Sequence, residues 1–266
     1  IGIAHYPRDA DNADDLLKFA DQAMYAAKRE GKNRHAYFTP VLQQDSQLRM
    51  QIASDLRKGI AQGEFELYYQ PIVDLHSGHV GKAEALIRWF HPHKGEFSPG
   101  AFIPLAEQTG AICDLGDWII DTALAQLKQW QIHHDPHFQL SINMSPLQLK
   151  RRDTRHDQWI DGAAFTSLTP HSLVLKITEG LLLEEKSSVN ERLLRFRDHG
   201  IQVAIDDFGT GYSSLAYLKN FDIDYLKIDQ RFTQKLGEGT VDASICEAIV
   251  VMAHKLGIRV IAEGVE

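Results

Sequence analysis

The sequence predicts an α/β fold: a (β/α)8 TIM-like barrel with an antiparallel first strand, truncated before its last strand. Three observations predict it. Strand-like runs fall near residues 66–73, 83–89, 139–144, 173–178, 202–207, 224–229 and 259–263, with helix-like runs at Asp117–Gln131, Val189–His199 and Ala243–Leu256 between them. Alternation of this kind builds a parallel sheet. The first two strands are separated only by a turn around His76-Ser77-Gly78-His79, which allows a hairpin but no crossover helix. Polar residues collect at the C-terminal ends of the strands, where a barrel places its active site. Seven runs are one short of eight, so the closing strand is expected past Glu266.

In chain order, residues 1–40 form a first block. Asn12 can cap a helix with Asp15 three residues later, and Leu16, Leu17, Ala20, Met24 and Ala27 follow at helical spacing as far as Gly31. A strand-like His35-Ala36-Tyr37-Phe38 comes next. One helix and two short strands cannot bury a core of their own, so this block is the remnant of a larger domain. Residues 41–62 form a linker helix, because Leu48, Ile52, Leu56 and Ile60 make the narrow stripe of a docking seam over Asp45–Ile60. Residues 63–266 form the barrel. The start at Ile1 and the end at Gly264-Val265-Glu266 read as an excerpt cut at both ends.

Composition narrows the function. Of 266 residues, 44% are hydrophobic and 24% charged, the balance of a globular chain, and no apolar run approaches a membrane span. Lys and Arg total 28 against 36 Asp and Glu, a net charge of −8 that argues against a nucleic-acid polymer as partner. A small anionic ligand needs a metal ion or local basic groups to reverse that field. Cys113 and Cys246 have neither the number nor the spacing of a disulfide framework or zinc site, which points to a reducing, cytoplasmic setting.

The strand-end residues carry the chemistry. Glu84 and Arg88 share one side of the second strand, and Asn143 ends the third. Lys176 and Thr178 end the fourth with Glu179 just past them, Asp206 and Asp207 the fifth, Lys227 and Asp229 the sixth, and Glu263 the seventh. One such carboxylate alone is as well explained by a helix cap or a lysine partner. A whole ring is different, because converging acids repel unless cations neutralise them. Oxygen donors of this kind suit Mg²⁺ or Mn²⁺ better than zinc, and adjacent Asp residues can serve two ions. The histidines of His91-Pro92-His93 and His133-His134 read as solvated turn residues. Phe208-Gly209-Thr210-Gly211 reads as a tight βα turn that can also approach a phosphate.

Residues from about 45 onward resemble the EAL family of cyclic-di-GMP phosphodiesterases. The likeness rests on Glu84-Ala85-Leu86-Ile87-Arg88, Asn143-Met144-Ser145, Asp206-Asp207-Phe208-Gly209-Thr210-Gly211, Lys227-Ile228-Asp229 and Glu263-Gly264-Val265-Glu266, in that order. Residues 1 to about 40 resemble the C-terminal end of a GGDEF (diguanylate cyclase) domain through Asp21-Gln22-Ala23-Met24-Tyr25 and Lys28 to Asn33, without the cyclase signature loop. The resemblance implies hydrolysis of cyclic-di-GMP to linear pGpG with two Mg²⁺ or Mn²⁺ ions. By position, Glu84, Asn143, Asp206 and Asp207 would bind metal, Lys227 would orient the attacking water, and Glu263 would support the second ion. Leu86 and Arg88 would contact the substrate, Arg88 at a phosphate. Glu179 would steady the Asp206–Ser214 loop, which implies a homodimer.

One residue departs from the family pattern. Lys176-Ile177-Thr178-Glu179 stands where the family has Glu-Ile-Thr-Glu, whose first Glu is a metal ligand. An ammonium about 4 Å from a cation repels it by about 4 kcal/mol per unit charge at an effective dielectric of ~20. The expectation is a sharp loss of metal occupancy, and a catalytically silent cyclic-di-GMP receptor becomes the alternative to the enzyme.

Overall fold

The computed structural model describes residues 1–29, 31, 33–150, 160–182, 187–209, 221–234, 236–237 and 240–265. In the first block, β1 (Gly2–Ile3) pairs in parallel with β2 (Ala36–Tyr37), and α1 (Ala13–Arg29) packs across them. Asn12 Oδ1 accepts from the Asp15 backbone N–H at 2.8 Å while its amide donates to the Asp15 carboxylate, the cap the sequence anticipates. The buried face is carried by Phe19, Ala23, Ala26 and Ala27, with Phe19 stacked on Phe38 at 4.1 Å. Leu17, expected in that stripe, is 70% exposed; each residue turns the helix by about 100°, and Leu17 lies off the Phe19–Ala23 face. Gly2 is required by packing, since a Cβ there would lie 1.9 Å from the Ala20 carbonyl oxygen.

The linker helix α2 (Pro40–Gln62) starts earlier than expected, because Thr39 caps it and Pro40 suits a first helical turn. Its C-terminal half docks on the main sheet and its helices, while Leu42 near its start packs against the Phe19–Phe38 core of the first block. Ile52 and Leu56 are buried against Phe65, Trp89, Phe102 and Leu115, whereas Leu48 is exposed. Those partners come from the sheet and from α3 (Pro99–Thr109) and α4 (Ala111–His133). Tyr25 hydroxyl donates to Gln108 Oε1 at 2.7 Å, tying the first block to α3.

The main sheet opens with β3 (Phe65–Ile72) and β4 (Lys82–His91), antiparallel from Phe65↔Trp89 to Ile72↔Lys82. Asp74 closes the turn: its Oδ1 accepts from the backbone of His76 and Ser77 and from the Ser77 hydroxyl, and Gly78 takes the positive φ of 71° that the reversal needs. A short antiparallel strand that the sequence reading lacks, β5 (Gly95–Phe97), adds to the outer end of β4. Then β6 (Gln139–Asn143), β7 (Leu173–Thr178), β8 (Gln202–Phe208), β9 (Tyr225–Ile228) and β10 (Arg259–Ala262) follow in parallel. The spatial order is β10-β9-β8-β7-β6-β4-β3. The sheet curls into a half-barrel, and among the described residues β3 and β10 do not pair.

Strand periodicity sorts the two faces. On the convex side, Leu140, Ile142, Leu175, Ile177, Val203, Ile205, Leu226 and Ile228 pack with α4, α8 (Ser187–Asp198) and α10 (Val241–Lys255) through Ile120, Leu124, Phe196, Ile249 and Ala253. Shorter helices α5 (Pro146–Lys150), α6 (Ala163–Thr166), α7 (Glu179–Leu182) and α9 (Gln230–Thr233) fill the connections. The alternate residues, including Glu84, Asn143, Lys176, Asp206 and Lys227, are thereby turned onto the concave face. No helix among the described residues is long and apolar enough to cross a membrane.

Candidate active site

At the C-terminal end of the concave face four charged side chains close a ring. Glu84, 5% exposed, accepts at Oε1 from Lys176 Nζ (2.5 Å) and Asn143 Nδ2 (3.0 Å), and at Oε2 from Lys227 Nζ (2.6 Å). Lys176 Nζ also lies 2.9 Å from Asp206 Oδ2, and Lys227 Nζ lies 3.7 Å from Asp206 Oδ1. Lys227 is further paired with Glu263 Oε1. The signs alternate around Glu84, Lys176, Asp206 and Lys227. Burial alone would raise the Glu84 pKa, but the two ammonium groups overcome it and hold the carboxyl down at about 2. Burial likewise opposes the charge of Lys227, and the acids Glu84, Asp206 and Glu263 outweigh it and raise its pKa.

Asp206 and Asp207 are adjacent in a strand, so regular alternation would send them to opposite faces. A bulge prevents this. Ile205 faces Leu226 and Phe208 faces Ile228, so the two aspartates together oppose Lys227, and Asp207 takes a positive φ of 54°. Asp206 meets the lysines, while Asp207 turns towards Asp229 and interacts with its carboxyl group. The Asp207 pKa is raised, first by burial and then by repulsion from Asp206, Asp229 and Glu263. Asp229 caps α9, accepting from the Arg231 backbone N–H at 2.7 Å and from its guanidinium, which lowers its pKa.

The remaining expected residues lie around this ring. Leu86 and Arg88 share its face on β4, but Arg88 is four residues, roughly 13 Å, beyond Glu84. At the rim its guanidinium donates to the Ile87 carbonyl, lies 3.7 Å from Glu96 on β5, and sits 5.4 Å from the Tyr68 ring centre. Glu179 is buried in the first turn of α7, and neither carboxylate oxygen has a hydrogen-bond partner among the described residues. Of the loop it was expected to steady, residues 210–214 lie outside the described residues, as does Glu266 of the last motif. Ser145 follows Asn143 and donates to Glu107 Oε1 at 2.6 Å. His91, expected as a solvated turn residue, instead ends β4 with its side chain 9% exposed and 3.4 Å from Asp55 of α2, because β5 pairs across it.

Sequence reasoning missed the contribution of β3. Gln70 stands opposite Glu84 and Tyr68 opposite Leu86, both on the concave face. The alternation of Phe65, Leu67 and Tyr69 with Glu66, Tyr68 and Gln70, read together with the hairpin, was the available signal.

The implied metal can be tested on this donor set. An ion needs lone pairs, whereas the position between Glu84 Oε1 and Asp206 Oδ2 is filled by a lysine ammonium that donates to Glu84 and pairs with Asp206. Among the described residues no group of three or more His, Cys, Asp or Glu side chains is arranged to hold a metal. The residues of this chain therefore do not fit a two-ion centre as they stand.

Set beside known proteins, residues 53–266 match the EAL domain and residues 1–34 match the GGDEF diguanylate cyclase domain. The chain belongs to the EAL family. This EAL domain and its GGDEF fragment are 37% identical over 270 residues to the bifunctional diguanylate cyclase/cyclic di-GMP phosphodiesterase MucR of Pseudomonas aeruginosa. They are 35% identical over 266 residues to the cyclic di-GMP phosphodiesterase NbdA of the same organism. All of this chain is covered in both cases, but it spans only 39% of MucR and 34% of NbdA. The MucR phosphodiesterase solved in complex with c-di-GMP superposes with a TM-score of 0.75 at 37% identity, covering 81% of this chain and 87% of that one. The EAL enzyme Bd1971, solved with cAMP and cyclic-di-GMP, gives 0.77 at 29% identity over 97% of this chain and 68% of that one.

Proposed function

We propose that this EAL domain works in cyclic-di-GMP signalling, taking the nucleotide across the concave rim with one phosphodiester facing the charged ring. The observation that carries this reading is the convergence of Glu84, Asn143, Asp206, Lys227 and Glu263 from five different strands or strand ends. Hydrolysis to linear pGpG is the reaction that its phosphodiesterase relatives support. In it, Lys227 orients the attacking water and Arg88 holds a phosphate oxygen through its fork of donors. Leu86 packs against the ligand below Arg88. The division into residues 1–40, 41–62 and 63–266, and a homodimer formed through the loop after Asp206, belong to the same proposal.

A second reading has its own observation. Lys176 bridges Glu84 and Asp206, which favours a receptor that binds cyclic-di-GMP and leaves it intact. Calorimetry with cyclic-di-GMP tests the shared part; absence of binding with and without Mg²⁺ would refute both readings. Chromatography of pGpG then separates them. Turnover by the unaltered chain equal to that of Lys176→Glu selects the enzyme, and binding without turnover selects the receptor.

A further inference from the structure

We infer that Lys176 is a tethered replacement for a divalent ion, so that the ring is complete, correctly spaced and rigid with no metal bound. Glu84 and Asp206 contribute two negative charges, and Lys176 and Lys227 contribute two positive ones, which leaves the four-membered ring neutral. Two facing carboxylates require a cation between them, and here a covalently attached one supplies it. Its contacts of 2.5 and 2.9 Å are the lengths of strong charge-assisted hydrogen bonds.

Lys176 also has nowhere to retreat within the fold. It is 4% exposed, and the concave layer beneath it is Val174, Ala204 and the Tyr225 ring, whose hydroxyl is already engaged with Lys82 and Gln139. An incoming ion would have to expel the ammonium upwards, out of its hydrogen bond to Glu84 and its ion pair with Asp206, before gaining the two carboxylates as ligands. An ammonium carries three N–H donors, and Glu84 and Asp206 together occupy no more than two, so one is left for a phosphate oxygen of an anionic ligand. The consequence goes past which nucleotide binds. Ligand capture at this site does not depend on Mg²⁺ or Mn²⁺.

The test is a Mn²⁺ titration of the full chain, read by the loss of free-ion electron paramagnetic resonance signal and, in parallel, by the melting temperature with EDTA, Mg²⁺ or Mn²⁺. The unaltered protein should show no saturable Mn²⁺ site at micromolar ion and the same melting temperature in all three conditions. Lys176→Glu should acquire a saturable site and a melting temperature that rises with Mn²⁺. Lys176→Met, of similar length and without charge, covers the case in which the glutamate variant folds poorly, and should also gain a Mn²⁺-dependent rise. A saturable site in the unaltered protein, or a Met variant indifferent to Mn²⁺, would overturn the inference. Because no nucleotide is present, neither outcome depends on the cyclic-di-GMP reading.

Discussion

Two lysines on the same concave face, one at each end of the strands, have opposite fates. At the rim, Lys227 is enclosed by Glu84, Asp206 and Glu263, and its pKa is raised. At the floor, Lys82 donates to the buried Tyr225 hydroxyl at 2.6 Å, with the Arg259 guanidinium 4.0 Å from the same ring's centre. Burial, and then the Arg259 charge, push the Lys82 pKa down to about 8. Both side chains are desolvated, so burial does not decide the outcome; the sign of the neighbours does. The rim is an electrostatically closed unit built for charge, while the floor tolerates charge by laying it on an aromatic ring.

The contrast is broken most severely by neutralising its acid. Glu84→Gln leaves two buried ammonium groups facing an amide and should destabilise the fold by about 3–5 kcal/mol in chemical denaturation. The same carboxyl sets an acid limit. Its pKa is held at about 2 instead of 4.5, so its stabilisation is complete above pH 4.5 and is lost as the pH falls towards 2. Urea midpoints recorded across that window should fall for the unaltered protein, and the step should be missing in Glu84→Gln.

At the floor the sign reverses. Lys82 titrates near 8 in the fold and at 10.5 when unfolded, so its charge penalises the folded state below pH 8, and stability recovers as the pH rises from 8 to 10.5. Lys82→Met should therefore stabilise the protein by about 1 kcal/mol at pH 7, the modest size reflecting solvent screening of a partly buried group. The gain should vanish above pH 10.5. A smaller effect still is expected for Tyr25→Phe, which removes one exposed hydrogen bond to Gln108 and should shift stability by about 0.5 kcal/mol or less.

The sequence made the two faces of the sheet legible because strand periodicity survives in Leu140-Ser141-Ile142-Asn143 and Leu175-Lys176-Ile177-Thr178, each apolar on one side and polar on the other. Parity separates Asn143 from Leu140 and Ile142 and Lys176 from Leu175 and Ile177, while Glu84, Asp206 and Lys227 join them as strand-end residues. It could not place Asp207, whose position depends on a bulge specified by the register between β8 and β9. Nor could it foresee β5, which is three residues long and exists through pairing with β4. The meaning of Lys176 also changed with geometry. One-dimensional reasoning set its charge against an incoming ion; in three dimensions the same charge is answered by Glu84 on a strand 92 residues away and by Asp206 on the next strand.

Crystals of this chain soaked in Mn²⁺ and measured at the manganese absorption edge would show directly what occupies the position between Glu84 and Asp206. We expect no anomalous peak there and continuous density for the Lys176 side chain reaching both carboxylates. A manganese peak about 2.2 Å from Glu84 and Asp206, with Lys176 turned away, would contradict that expectation.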